Sequence, residues 1–348
     1  MAERLPLEAP PRSVLIVMLS ALGDAVHVLP VVSALRRTWP ETRITWVIQP
    51  VPHALVKDHP AVDEFIVFQR RHGSSAWRSY SELGQAFEGR RFDVLLALQV
   101  YLKAGLITAQ APARIKLGFD RARARDLNWL FTTHRIPPRP VGHVQDQYFE
   151  FLEVLGVDPA PVTWDLRSSE AERIEQQAFF ARLDRPACAF VVGTSKPAKN
   201  WPPENYARVM DHVETLGMRA LIVGGPSAIE QAAAARIAAS TTHKPIVALG
   251  NDVRRLVWLL AGSALLVSPD TGPLHVARAL DVPVVGLYGY TNPKRYGPYR
   301  KYQDLVVDGY ARHPGEDYPC SMEHRPDGMS RVTVPDVIDA VERAITMA

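Results

Sequence analysis

Cysteine is scarce in this chain, with Cys188 and Cys320 the only two among 348 residues. Neither a disulfide framework nor a C-x-x-C zinc site can be built from them, and a reducing compartment is expected. No uninterrupted apolar stretch approaches the roughly 20 residues that a bilayer-spanning helix needs. Met1 to Arg12, rich in Pro, Glu and Arg, lack the apolar centre of a secretory signal and read as a loose tail. The expected workplace is therefore the cytoplasm. Net charge is also small: 40 Lys plus Arg against 37 Asp plus Glu leave +3. That balance gives no argument for nucleic acid, and no interleaving of basic and aromatic residues suggests a nucleic-acid platform. Three glycine motifs are missing as well: G-x-x-x-x-G-K-[ST], G-x-G-x-x-G after the first strand, and the G-x-S-x-G elbow. Nor is there an Asp-x-Asp pair to hold a divalent ion against a diphosphate, so no metal is called for.

What is present is the make-up of a folded globular protein, 47% apolar and 22% charged, long enough for two domains with separate cores. Short apolar runs alternate with helix-period segments throughout, the pattern of parallel βαβ units. Strands are expected at Val14 to Met18, Ile44 to Ile48, Glu64 to Phe68, Val94 to Leu98 and Ile115 to Gly118. A second set is expected at Cys188 to Val192, Ala220 to Val223, Ile246 to Leu249, Leu265 to Val267 and Val284 to Tyr288. The first helix should stop at Trp39-Pro40, with Pro30 in its first turn or at a kink. The run Gly156 to Trp164, containing Gly-Val-Asp-Pro-Ala-Pro, breaks the rhythm and marks the domain boundary. The expected organisation is a tail over 1–12, one doubly wound domain over 13–163, another over 164–333, and a final helix within 334–348 returning to the first domain. Thr333 and Pro335 supply that helix with a cap and a first-turn residue.

Ligands of open parallel sheets sit beyond the C-terminal ends of the strands, and four turns there stand out. After the first strand, Ser20-Ala21-Leu22-Gly23-Asp24 leads into a helix; Asp24 reads either as a helix-capping carboxylate or as an acid projecting from the turn. Gly193 to Pro202 combines hydroxyls and lysines in an anion-binding loop or a polar turn. Gly224-Gly225-Pro226 admits close approach of a ligand or a sharp bend. Ser268-Pro269-Asp270-Thr271-Gly272-Pro273-Leu274-His275 joins a strand to a helix, so its N–H groups form a seat for phosphate. Asp270, Thr271, Gly272 and His275 lie within little more than one helical turn and can converge on one small volume. Arginines and lysines cluster between Arg70 and Arg125, which gives the first half either an anion-binding face or an ordinary solvated surface.

Taken together, V-L-I-V-M-L-S-A-L-G-D, T-S-K-P-A-K-N-W-P and S-P-D-T-G-P-L-H-V-A-x-A-L resemble the ADP-heptose:lipopolysaccharide heptosyltransferase family of inverting glycosyltransferases, over nearly the whole chain. The resemblance implies a GT-B fold, two Rossmann-like domains facing across a cleft, the acceptor on the first and the nucleotide sugar on the second. It implies that Asp24 is the general base. Thr194, Ser195 and Lys199 would flank the donor diphosphate, Asp270, Thr271, Gly272 and His275 the sugar and its β-phosphate, and Asn251 the adenine. Gln99, Lys103 and Arg125 fall on the acceptor side. No cofactor beyond the ADP-sugar substrate is implied, and the acceptor would be a lipid-linked anionic saccharide at the inner leaflet of the cytoplasmic membrane. Departures from the family pattern are Met18, commonly basic, Ala97, commonly acidic, and Val100, commonly glycine; a family glutamate toward the ribose is displaced to Glu230. Alternatives are another nucleotide sugar, a protein or glycolipid acceptor, a non-catalytic nucleotide-sugar binder, or a sugar-nucleotide epimerase.

Overall fold

The computed structural model describes residues 5–347. The first four residues of the expected tail and the last residue of the chain lie outside it. The described residues divide into two compact units, one ending at Arg167 and the other starting at Ser168, with Val141–Val144 counted in the second.

In the first unit the order is β1 (Ser13–Val17), α1 (Leu22–Thr38), β2 (Arg43–Ile48), α2 (Pro50–Val56), β3 (Glu64–Val67), α3 (Ala76–Phe87), β4 (Phe92–Ala97), α4 (Leu102–Gln110), β5 (Ala113–Gly118), β6 (His134–Arg135) and α5 (Val144–Leu155). The strands pair in parallel in the order β3-β2-β1-β4-β5-β6. The second unit runs α6 (Glu170–Phe180), β7 (Ala187–Val191), α7 (Pro203–Thr215), β8 (Arg219–Gly224), α8 (Ala228–Ser240), β9 (Ile246–Leu249), α9 (Val253–Ala261), β10 (Leu265–Pro269), α10 (Gly272–Ala279), β11 (Val284–Tyr288), α11 (Pro293–Tyr296), β12 (Val306–Asp308) and α12 (Val334–Thr346). Its parallel sheet is ordered β12-β11-β10-β7-β8-β9. Each is the doubly wound order of a Rossmann-like sheet, with its topological switch between the first and fourth strands.

The central strands are near-continuous apolar runs because helices cover both faces. Val14 to Val17 and Cys188 to Phe190 are wholly buried. Leu15, Val17, Leu95 and Ala97 join Leu83, Phe87 and Ile107 of α3 and α4 in one core of the first unit. In the second unit Phe190, Ile222 and Val267 pack with Val209 and Met210 of α7.

Several expectations are corrected here. The apolar face of α12, carrying Val337, Ala340, Val341 and Ala344, is buried in the second unit's own core. Thr333 caps the helix as expected, accepting the Asp336 N–H. The end of the opening tail is anchored, since the Thr42 hydroxyl donates to the Pro11 carbonyl at 2.5 Å and the Arg12 N–H to Asp93 at 2.8 Å. Pro30 lies in the middle of α1, outside its first turn. β6 and β12, of two and three residues, are sheet edges too short to show a period.

Candidate functional site

At each topological switch the neighbouring connections leave in opposite directions, opening a crevice beyond the strand ends. The turns singled out in the sequence stand at these two places. In the first unit, residues 20–24 follow β1 and residues 99–103 follow β4. In the second, residues 193–199 follow β7 and residues 270–275 follow β10.

In the first unit the β1 turn is held by Gln99, which is buried. Its Oε1 accepts the Leu19 N–H at 3.2 Å and its Nε2 donates to the Ser20 carbonyl at 2.6 Å. Lys103, in the first turn of α4, donates from Nζ to the Ser20 hydroxyl at 2.9 Å. Burial lowers the Lys103 pKa, Arg70 adds to the lowering, and Asp24 opposes it. The ammonium thus feels the charges of both a cation and the candidate base. Asp24 lies in the first turn of α1 and accepts the Ala21 N–H at 2.8 Å. The capping role open to it in the sequence is therefore real, and the same bond fixes the carboxylate at the mouth of the turn. A concavity of about 480 Å³ beside it is lined by Ser20, Ala21, Gln49, Gln69, Arg70 and His72 among others. Arg125 donates its backbone N–H to the Val100 carbonyl and holds its guanidinium 6.0 Å from the Tyr101 ring centre. The loop that carries it is pinned by buried Arg123, which donates to Asp120 at 2.5 Å and to both Glu150 oxygens at 2.7 and 2.8 Å. Met18 and Ala97 are buried, so the charges common at these positions would have to be accommodated inside the core.

In the second unit four side chains meet. Lys199 Nζ donates to Asp270 Oδ2 at 2.6 Å and to the Asp270 carbonyl at 3.0 Å. The Thr291 hydroxyl donates to the same Oδ2 at 2.7 Å, and His275 Nε2 lies 3.6 Å from Oδ1. Burial alone would raise the Asp270 carboxyl. Contact with His275 and the charge of Lys199 more than offset it, holding the carboxyl well below the usual carboxylate range. Thr271 is the N-cap of α10 but offers it no side-chain bond. Pro273 has no N–H and that of Leu274 bonds the Thr271 carbonyl, so the positive end of the helix and the Gly272 N–H are what this turn offers an anion. The β7 loop is rigid because Thr194 donates from N and Oγ1 to Asn200 Oδ1 at 2.8 and 2.9 Å. Trp201, next along, donates Nε1 to the Val332 carbonyl and packs edge-on against Tyr206. Ser195 is exposed in this loop, and Asn251 is exposed at the bend after β9, where the Gly250 N–H bonds the Gly224 carbonyl.

One contributor escaped the sequence reading, and a second was named there only through the resemblance. Thr291 follows β11, a strand end like the others, but a lone threonine gives no motif. Glu230 lies over the tips of β7 and β8. Its Oε1 accepts the Gly225 N–H at 2.7 Å, its Oε2 accepts the Ser227 hydroxyl at 2.6 Å, and the Ser227 hydroxyl accepts the Glu230 N–H at 3.2 Å. The Ser-x-x-Glu spacing is the capping-box signature that placed it. A Cβ on Gly224, whose φ is +148°, would stand 2.4 Å from this carboxylate. Among the described residues no three His, Cys, Asp or Glu side chains gather in a way that would hold a metal ion.

Comparison with known proteins places these geometries in context. The chain is 30% identical over 310 residues to the lipopolysaccharide core heptosyltransferase OpsX of Haemophilus influenzae, covering 88% of this chain and 87% of the relative. A glycosyltransferase family 9 crystal structure from Veillonella parvula superposes with a TM-score of 0.81 at 25% identity, covering 97% of this chain and 98% of that one. The E. coli heptosyltransferase WaaC with ADP-2-deoxy-2-fluoro heptose superposes with a TM-score of 0.70 at 25% identity, over 95% and 99% of the two chains. The two Rossmann-like units are thus those of the GT-B class expected from the sequence. The family description "Glycosyltransferase family 9 (heptosyltransferase)" matches residues 80–325, from α3 through β12. The chain belongs to glycosyltransferase family 9, the heptosyltransferases, and is a glycosyltransferase.

Proposed function

We propose that the protein transfers a heptose from ADP-heptose to the inner core of lipopolysaccharide, with inversion at the anomeric carbon. The observation that carries this reading is the gathering of Lys199, Thr291 and His275 around Asp270 at the N-terminus of α10, in a family 9 chain similar to an enzyme solved with an ADP-heptose analogue.

The chemistry follows from where charge develops. As the bond from the anomeric carbon to the diphosphate oxygen breaks, negative charge grows on the leaving ADP and positive charge on the sugar ring. Lys199, the Ser195 hydroxyl and the N–H groups at Thr271-Gly272 stabilise the departing diphosphate, while Thr194, bonded to Asn200, holds the loop beside it. Asp270 and His275 hold the sugar and its β-phosphate, Asn251 borders the adenine, and Glu230 stands where it can accept from ribose hydroxyls. An acceptor hydroxyl forms the new bond to the anomeric carbon from the opposite face, and Asp24 takes its proton. Gln99, by fixing Leu19 and Ser20, positions the turn that carries Asp24. Lys103, Arg70 and Arg125 attract the anionic groups of a lipid-linked saccharide. No metal or further cofactor enters this scheme. The protein works in the cytoplasm on an acceptor held in the inner leaflet.

Purified protein given ADP-heptose and a delipidated inner-core acceptor is expected to release ADP and form a glycosylated product; no ADP release rejects the reading. Asp24→Asn is expected to keep donor affinity while turnover falls about 10²- to 10⁴-fold, the range of a lost general base. Unchanged turnover would instead assign the residue to capping alone. Thermal shifts with ADP, GDP, UDP and dTDP select the nucleotide, because whichever binds the folded state stabilises it.

A further inference from the structure

The large apolar side chains exposed on the second unit, such as Ile174, Leu216, Ile229 and Val247, are scattered over α6, the end of α7, α8 and β9. Single exposed residues of this kind need no explanation. The first unit differs. Tyr101, Leu102 and Leu106 are exposed on α4 and the residue before it, and Leu127 and Leu130 are 59% and 55% exposed in the short helical turn over residues 127–131. Leu102 and Leu106 share one face by their i,i+4 spacing. Leu127 and Leu130, three apart with the Leu130 N–H bonded to the Leu127 carbonyl, share another. The two faces adjoin, because Asn128 Nδ2 donates to the Tyr101 carbonyl at 2.9 Å and Gly105 of α4 lies so close to Phe131 that a Cβ there would stand 2.6 Å from its ring. Leu127 is also held at φ +58°, a left-handed backbone that leucine rarely adopts.

Charge says what this face meets. Beside the 127–131 turn, Arg121, Arg125 and Arg135 are exposed, against the exposed carboxylate of Asp126. The guanidinium groups of Arg121 and Arg135 lie 4.0 and 5.3 Å from the Trp129 ring centre. Leucines, a tryptophan and arginines with apolar stems on one surface suit the boundary between acyl chains and anionic headgroups. We propose that α4 and the 127–131 turn form the surface by which the protein docks on an anionic lipid bilayer. Lys103, beside Leu102, turns inward to Ser20, so docking on this face presents the β1 turn and Asp24 to a saccharide whose lipid stays in the membrane. The inference rests on the acceptor being lipid-linked.

The full chain is mixed with vesicles of phosphatidylglycerol and phosphatidylethanolamine, or of phosphatidylcholine alone, and sedimented without donor or acceptor. Binding is expected for the anionic vesicles only and should weaken as NaCl rises from about 0.1 to about 0.5 M. Leu127→Ser with Leu130→Ser, and independently Leu102→Ser with Leu106→Ser, should each bind about tenfold or more weakly. Both should keep the wild-type circular dichroism and the wild-type transfer to a delipidated acceptor, and lose transfer to acceptor carried in vesicles. If either double variant misfolds, the other and Arg121→Glu still decide. Equal sedimentation of folded variants and wild type, or equal binding to neutral vesicles, overturns the proposal. So does a dimer that both serine variants abolish in a wild-type protein that binds no vesicles, since the face then belongs to a second copy. Vesicle binding retained while no lipid-linked acceptor is glycosylated rejects the functional reading and leaves the docking surface standing.

Discussion

Replacing Lys199 with Met removes the ammonium 2.6 Å from Asp270 Oδ2 while keeping much of the stem. The Asp270 side chain is 9% exposed, so its charge is left with Thr291 and His275 for company. Removing one partner of a buried pair costs ~3–5 kcal/mol when the other charge is abandoned. The surviving Thr291 bond and the partial exposure of Lys199 bring the expected loss to ~2 kcal/mol, measurable by urea denaturation. The sign with pH follows from the depressed Asp270 carboxyl. Its contribution is full above the unfolded value and is lost as pH falls through the folded one; in Lys199→Met the folded value rises, so that smaller contribution is lost at higher pH. Adding Asp270→Asn removes the stranded charge and should restore at least half of the lost stability. ADP affinity behaves differently: loss of one charge-assisted bond to the diphosphate costs ~1.5–3 kcal/mol, about 10- to 150-fold in Kd, and the second substitution cannot restore it. A double variant no more stable than the single one, or one with wild-type ADP affinity by calorimetry, would refute the reasoning.

Gly224→Ala forces a Cβ onto a φ of +148° and into the Glu230 carboxylate; a stability loss of ~1–3 kcal/mol is expected, with weaker ADP binding if Glu230 serves the ribose, and calorimetry reads both. Arg123→Met strands two nearly buried carboxylates, Asp120 and Glu150. It should cost ~3–5 kcal/mol and raise the acceptor KM through the loosened Arg125 loop; an unchanged Tm contradicts this. Glu172, bonded by Arg254 at 2.6 and 2.7 Å, is held at about 2 instead of 4.5, first by that guanidinium and against its own burial. Its stabilising effect is present above the unfolded value and fades between 4.5 and about 2. Glu172→Gln should therefore lose ~1 kcal/mol at neutral pH, after allowance for solvent screening, and lose less further stability on acidification. Parallel stability curves for the two proteins from neutral pH down to 3 would count against the assignment.

Legibility in the sequence followed local physics. The strand-turn-helix at Leu265 to Ala279 could be read because an apolar run, a glycine and a helix start are all encoded by neighbours, and the seat at the α10 terminus follows from that alone. The N-terminal helix turn was legible for the same reason, but the fate of Asp24 was not, since a cap and a projecting base share one spacing. Thr291 was invisible because its importance is its 2.7 Å bond to a residue 21 positions away. The cover over the apolar face of α12 was not legible, because an amphipathic face states that it will be covered without stating by what.

The chain by itself determined two parallel βαβ arrays and the chemistry available at their strand ends, because period, capping and turn residues act over a few neighbours. Only the tertiary structure decided how burial, Lys199, His275 and Thr291 together tune Asp270, how Gln99 and Lys103 grip the turn before it reaches Asp24, and which leucines were left facing outward. Those outcomes depend on distances between residues far apart in the chain, and such distances exist only once the sheets have formed.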